Sequence, residues 1–148
     1  MYHPLHIDVR EKKILVIGVG KVGRRRIEKL LKSGATITAI DRKRLRIYGV
    51  KIIRKDLTPN DLPSLRPYFL VVAATNNKKL NSAIAEKAKR EGCLVNRVDL
   101  SGGGDVIFPA IVETSSGTLS FSTLGKNPAL SKRIKEALGR ELPLYKAE

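Results

Sequence analysis

Gly18, Gly20 and Gly23 stand in the string Gly18-Val19-Gly20-Lys21-Val22-Gly23, behind the apolar run Ile14-Leu15-Val16-Ile17 and ahead of a segment with helical period. Glycines at this spacing carry meaning only between a strand and a helix, which is where these lie. Gly18 lets the chain turn sharply, Gly20 lets a diphosphate approach the backbone, and Gly23 lets the helix pack closely. The first peptide groups of the helix, at Lys21 and Val22, then offer free N–H donors and partial positive charge to phosphate. Asp41, about twenty residues past Gly23, ends the next apolar run, where a carboxylate accepts both hydroxyls of a ribose. The set points to a bound dinucleotide, with NAD favoured over NADP. A 2′-phosphate would meet the charge of Asp41, although Arg42, Lys43 and Arg44 beside it are able to accommodate one.

Further polar groups close other apolar runs. Thr75 follows Phe69 to Ala74 and is expected near the nicotinamide-side phosphate or ribose, with Asn76 either touching cofactor or bracing the turn. Asp99 follows Leu94 to Val98. At the carboxyl edge of a doubly wound sheet it would project into the ligand crevice and could take a proton. As a turn opener before Ser101-Gly102-Gly103 it would bond its own backbone instead, and pattern alone does not choose. Asn96 has the same two readings. His3 and His6 have no third ligand nearby in sequence, so no metal is expected. The single Cys93 can form no internal disulfide, which fits a reducing cytoplasm.

The elements that must position these residues follow from periodicity. Short apolar runs alternate with helix-period segments from Lys13 to about Asp99, the rhythm of strand-helix-strand units and a mostly parallel sheet. Strands are predicted at Ile14–Ile17, Thr36–Ile40, Lys51–Arg54, Phe69–Ala74 and Leu94–Val98. Helices are predicted from Val22 to Ser33, closed by Gly34, and from Lys78 to Arg90, capped by Asn77. Pro59, Pro63 and Pro67 predict loop between the third and fourth strands, with at most a helical turn near Leu62–Leu65. Beyond Asp99 the rhythm changes to two strands, Val106–Glu113 and Leu119–Ser122, joined by Ser115-Ser116-Gly117. A last helix starts at Pro128, with Leu130, Ile134, Ala137, Leu138 and Leu142 on its apolar stripe. The fold class is α/β: a Rossmann-like doubly wound sheet over residues 1–111, then a hairpin and helix over 112–148.

Composition bounds the partners. The chain has 148 residues, 42% hydrophobic, with 29 Lys plus Arg against 14 Asp plus Glu, a net +15. Its apolar runs are far short of the ~20 residues needed to cross a bilayer, and no secretory signal precedes the first strand. The charge calls for an anionic partner. Nucleic acid is disfavoured, because four Tyr, three Phe and no Trp leave little for base stacking. A polyanionic small molecule remains open.

Several segments carry a more specific likeness. Pro4-Leu5-His6-Ile7-Asp8-Val9-Arg10, Ala73-Ala74-Thr75-Asn76-Asn77 with Leu80-Asn81, Val95-Asn96-Arg97-Val98-Asp99, Ile107-Phe108-Pro109-Ala110-Ile111-Val112, and Ser122-Thr123 with Asn127-Pro128-Ala129-Leu130-Ser131 resemble the dehydrogenase domain of siroheme synthase, the precorrin-2 dehydrogenase family. The resemblance spans nearly the whole chain. It implies oxidation of precorrin-2 to sirohydrochlorin with NAD as hydride acceptor, on the route to siroheme and, in archaea, also to haem. It makes Asp99 the general base and puts Asn96, Thr123 and Asn127 at the substrate. The acetate and propionate groups of that tetrapyrrole give the charge excess a reading. Family members continue past the last helix into a region that helps cover the tetrapyrrole, so part of the substrate wall is expected to be missing or supplied by a partner, and the resemblance does not decide whether iron is also inserted. A homodimer is implied, with Val112–Leu142 as its interface. Two other readings predict different behaviour: a non-catalytic NAD-sensing module needs no acid in the crevice, and a nucleic-acid binder would depend steeply on salt.

Overall fold

The computed structural model describes residues 2–100, 103–115 and 117–141. The expected turn residues Ser101, Gly102 and Ser116 and the helix position Leu142 lie outside them. The chain divides into two compact units, His3–Val106 and Ile107–Glu148.

In the first unit, β1 (Lys13–Ile17), β2 (Thr36–Asp41), β3 (Val50–Arg54), β4 (Leu70–Ala73) and β5 (Leu94–Arg97) form one sheet. Helix α1 (Lys21–Lys32) follows β1 and α2 (Lys78–Arg90) follows β4. Every pairing in this sheet is parallel, and the order is β3-β2-β1-β4-β5. The order reverses between β1 and β4, which opens the crevice where α/β sheets bind ligands. Register brings the carboxyl ends together: Ile17 pairs with Ile40 and Ala73, Asp41 with Arg54, and Ala73 with Arg97.

Ile14 to Ile17 are all buried, as expected of a central strand covered on both faces. α1 turns Gly23, Ile27 and Leu30 inward, and Gly34, at φ +80°, follows its end. In α2 the side chain of Asn77 accepts from Leu80 N at 3.1 Å, which caps the first turn, while Leu80, Ile84 and Ala88 are buried. A fully buried Ile84 contributes roughly 1.5–3 kcal/mol relative to leaving it in water.

The crossover from β3 to β4 has no helix, and the expected helical turn near Leu62–Leu65 is coil. Leu57 and Leu65 are nevertheless buried in the same cluster as Leu80, Ile84 and Ala88, so coil shares with α2 the covering of that face. Its backbone is satisfied from outside: Glu91 Oε2 accepts from Leu65 N at 2.6 Å and from Arg66 N at 3.0 Å. The Cys93 thiol donates to the Leu65 carbonyl at 3.0 Å.

The second unit holds β6 (Ala110–Thr114) antiparallel to β7 (Gly117–Phe121), with α3 (Pro128–Glu141) packed on them. The expected strand from Val106 starts only at Ala110. Val106 is committed elsewhere, its N–H donating to Val95 O at 3.0 Å and its carbonyl accepting from Asn96 Nδ2 at 2.7 Å, and Pro109 has no N–H to give a ladder.

Candidate functional site

The glycine turn lies where β1 hands the chain to α1. Gly18 has φ +91°, and a Cβ there would stand 2.6 Å from the Ala74 carbonyl at the end of β4. Gly23 is buried, and a Cβ on it would strike the carbonyl oxygen of Gly18, so the first turn of α1 sits directly on the loop. A Cβ on Gly20 would meet nothing within 4 Å. That empty space opens toward the crevice, as a cradle for a diphosphate requires. Lys21 is exposed and Val22 half-buried in the first turn, where free N–H groups gather.

Asp41, at the tip of β2, spans the adjacent turns. Its Oδ2 accepts from Val19 N at 2.7 Å and its Oδ1 from Lys43 N at 2.8 Å. Each carboxylate oxygen keeps further acceptor capacity for a ribose diol. Gly18, Gly20, Asp41, Arg42, Thr75 and Asn76 line one cavity of about 390 Å³ between the tips of β1, β2 and β4. Residues chosen from separate stretches of sequence thus share one groove, and the groove fits a dinucleotide: open space at Gly20, free N–H groups at α1, an acid at β2.

Thr75 is held by a residue that spacing did not mark. Asn81 of α2 is fully buried; its Oδ1 accepts from Thr75 Oγ1 at 2.6 Å and Thr75 N at 3.2 Å, while its Nδ2 donates to Thr75 O at 3.0 Å. Asn81 also favours the ionised form of the Asp99 carboxyl, though less than Arg97 does. The signal was a polar side chain on the apolar stripe of a helix.

Asp99 does not line the cavity. It stands just beyond β5 and pairs with Arg97, Nε to Oδ1 at 3.2 Å and Nη2 to Oδ2 at 2.9 Å. The guanidinium holds the carboxyl below its usual range against the opposing effect of desolvation. The backbone N–H of Asp99 acts on the carboxyl in the same direction, and the Ser101-Gly102 turn it is expected to open lies outside the described residues.

The three residues implied at the substrate have polar atoms committed to local structure. Asn96 is buried and braces Val106. Asn127 Oδ1 accepts from Leu130 N at 2.9 Å, which caps α3, and Thr123 Oγ1 accepts from Asn127 N at 3.1 Å. Arg24 and Arg25 are exposed as a solvated helix face demands, but Arg26 is not: burial, with Arg25 beside it, pushes it down to about 10.

A doubly wound sheet with this glycine turn and acid is a dinucleotide-binding module. Residues 5–110 match the family model NAD_binding_7, described as NAD(P)-binding, and the chain belongs to that family. It is 35% identical over 149 residues to the siroheme synthase of Zymomonas mobilis subsp. mobilis, covering 96% of this chain and 31% of the relative. The siroheme synthase of Buchnera aphidicola subsp. Acyrthosiphon pisum is 36% identical over 148 residues, again 96% of this chain and 31% of the relative. The chain therefore spans about a third of the length of these relatives. Among solved structures, SirC, a precorrin-2 dehydrogenase, superposes with TM-score 0.74 at 29% identity, over 98% of this chain and 71% of that one.

Proposed function

We propose that the protein oxidises precorrin-2 to sirohydrochlorin, with NAD accepting the hydride, as a step toward siroheme. The carrying observation is the groove itself: Gly18, Gly20, Asp41, Thr75 and Asn76 line one cavity at the carboxyl edge of the sheet, with Asn81 holding Thr75 in place. The likeness to SirC and to the siroheme synthases supports the choice of substrate.

In this reading Gly18 and Gly20, with the N–H groups of Lys21 and Val22, would hold the diphosphate of NAD, Gly23 letting the helix close in. Asp41, with Arg42 alongside, would accept from the diol of the adenosine ribose, and Thr75 and Asn76 would hold the nicotinamide half. The nicotinamide ring, when bound, takes two electrons and a hydrogen as hydride from a ring carbon of the tetrapyrrole. Asp99 accepts the accompanying proton and releases it to water, which balances one substrate and NAD+ against one product, NADH and H+. Each transfer requires the partners near contact distance.

The NAD-binding part is assigned to residues 1–111 and a dimerisation segment to 112–148. A homodimer formed through Val112–Leu142 would cover Leu119 and Leu130, which are 45% and 39% exposed. Asn96, Thr123 and Asn127 are assigned to the substrate: Asn96 offers a buried Oδ1 without a partner among the described residues, while Thr123 Oγ1 and Asn127 Oδ1 would share the bonds they now make. Among the described residues no helix is long and apolar enough to cross a membrane. A reducing cytoplasm suits the free, buried Cys93.

The test is anaerobic incubation with precorrin-2 and NAD, followed by absorbance of the tetrapyrrole and of NADH. Wild-type protein is expected to produce both signals together. Asp99→Ala is expected to abolish turnover while leaving NAD affinity within about threefold. Wild-type protein that binds NAD but never forms NADH, at any pH between about 6 and 9, is a sensor and not a dehydrogenase.

A further inference from the structure

Arg97 and Asp99 present a conflict that the proposed chemistry has to resolve. Both oxygens of Asp99 are engaged by one guanidinium, and the two side chains are only 11% and 14% exposed. A carboxylate clamped in this way is ionised but a poor proton acceptor, because protonating it would strand a desolvated cation. Arg97 has further N–H donors beyond the two it spends here. It also borders a second cavity, of about 260 Å³, on the α2 side of β5.

The charged groups around Arg97 come from two elements. Glu86 and Lys89 of α2 line the second cavity, and Glu86 attracts the guanidinium. Asp105, which follows Gly103 and Gly104, lines it too, but its Oδ2 already accepts from Val95 N at 3.2 Å. Gly103 lies on the stem of Arg97, since a Cβ on it would stand 3.1 Å from Arg97 Cδ. A guanidinium in this setting can exchange one carboxylate for another without leaving its cleft.

Building on the reading of the protein as a precorrin-2 dehydrogenase, we infer that Arg97 is a substrate clamp: it holds Asp99 at rest and passes to a peripheral carboxylate of the tetrapyrrole on binding, which frees Asp99 to take the proton. Base strength is then available only when a polycarboxylate ring occupies the site. Substrates lacking the correctly placed acid side chain leave Asp99 clamped. Arg97 is in this sense a specificity residue as well as a contact.

The experiment compares Arg97→Gln and Arg97→Lys with wild type. Arg97→Gln is expected to raise KM for precorrin-2 by about 10-fold, the loss of one charge-assisted carboxylate contact. Its kcat stays within about threefold, because Asp99 is unclamped in the bound state of both proteins. Removing the cation also raises the pKa of Asp99 in the free protein, so the acid limb of kcat/KM moves to higher pH. Arg97→Lys, which keeps the charge without the fork, recovers part of the KM, and the Kd for NAD is unchanged throughout. Unchanged KM and acid limb overturn the inference. So does a loss of kcat as deep as that of Asp99→Ala with KM unaltered, which would make Arg97 a support for Asp99 alone. Should wild-type protein fail to oxidise precorrin-2, the dehydrogenase reading falls separately, and the clamp is read from fluorescence titration with uroporphyrin, an octacarboxylate ring. Binding weakened about 10-fold by Arg97→Gln sustains the clamp, and equal binding refutes it.

Discussion

Two glycines three residues apart in the chain, Gly20 and Gly23, should respond oppositely to the same added methyl group. Gly20 caps α1 in an extended conformation, φ −73° and ψ −169°, which alanine adopts freely, and its Cβ would meet nothing within 4 Å. Gly20→Ala should therefore stabilise the fold by about 0.4–1 kcal/mol, through the smaller entropy of the unfolded chain. The same methyl fills the space that the diphosphate needs. Losing one hydrogen bond to a charged phosphate, at about 1.5–3 kcal/mol, raises the Kd for NAD about 10- to 100-fold. Gly23→Ala inverts the first effect. Helix propensity alone promises a gain of up to about 1 kcal/mol. The new Cβ, however, strikes the Gly18 carbonyl, a backbone atom that cannot rotate away. Overpacking of this kind costs about 1–3 kcal/mol, so the net change is a loss, and NAD binding weakens because α1 backs away from the loop. Urea unfolding gives the stabilities and isothermal titration the affinities. A Gly20→Ala protein that binds NAD like wild type, or a Gly23→Ala protein as stable as wild type, would refute the assignment of ligand space to one glycine and packing space to the other.

Asp41→Ala removes the acceptor for Val19 N and Lys43 N as well as for the ribose diol; NAD affinity should fall by at least about 10-fold, with titration calorimetry as the check. Asn81→Ala leaves the amide and carbonyl of Thr75 without their buried partner and should cost about 2–3 kcal/mol, read as a lower urea midpoint, with weaker NAD binding as the second sign. Glu91 bears on pH. The Leu65 amide and then Lys87 hold its carboxyl below the ordinary 4.5, so its contribution to stability is fully present above that value and is lost as pH falls through the lower, folded-state pKa. Glu91→Gln should flatten that part of the acid unfolding curve, and an unchanged curve in circular dichroism would show that the coil over α2 does not depend on the charge.

The path from Ile14 to Asp41 was legible because each signal constrains its neighbour. Gly18 needs positive φ, Gly23 needs contact with Gly18, and Asp41 must end a strand paired in register with β1 for its carboxylate to reach Val19. Those demands are local, and residue type expresses them directly. The coil over Leu57 and Leu65 was half legible. Three prolines exclude a regular helix, but nothing in that stretch announces that Glu91, far along the chain, will satisfy its amides. The start of β6 was misread for the same reason: the apolar character of Val106 to Pro109 suggests a strand, while partners on Val95 and Asn96 withdraw Val106 from any ladder.

Asp99 marks the limit of motif reasoning about the site. Its position past the tip of β5 follows from the strand rhythm, yet its chemistry is set chiefly by Arg97, two residues back. Arg97 ends β5 and Asp99 lies in the bend that follows, so strand alternation does not announce the pair; it depends on that bend and on how little water reaches it. Here the two side chains are mostly desolvated, and removing either partner would leave a buried charge uncompensated. The pair therefore has to persist until another ion of the right sign arrives. A chain with 29 basic and 14 acidic residues brings polyanions to its surface over a range set by ionic strength. If the ligand is the proposed tetrapyrrole, attraction at long range and exchange at Arg97 would be successive uses of one property, its peripheral carboxylates.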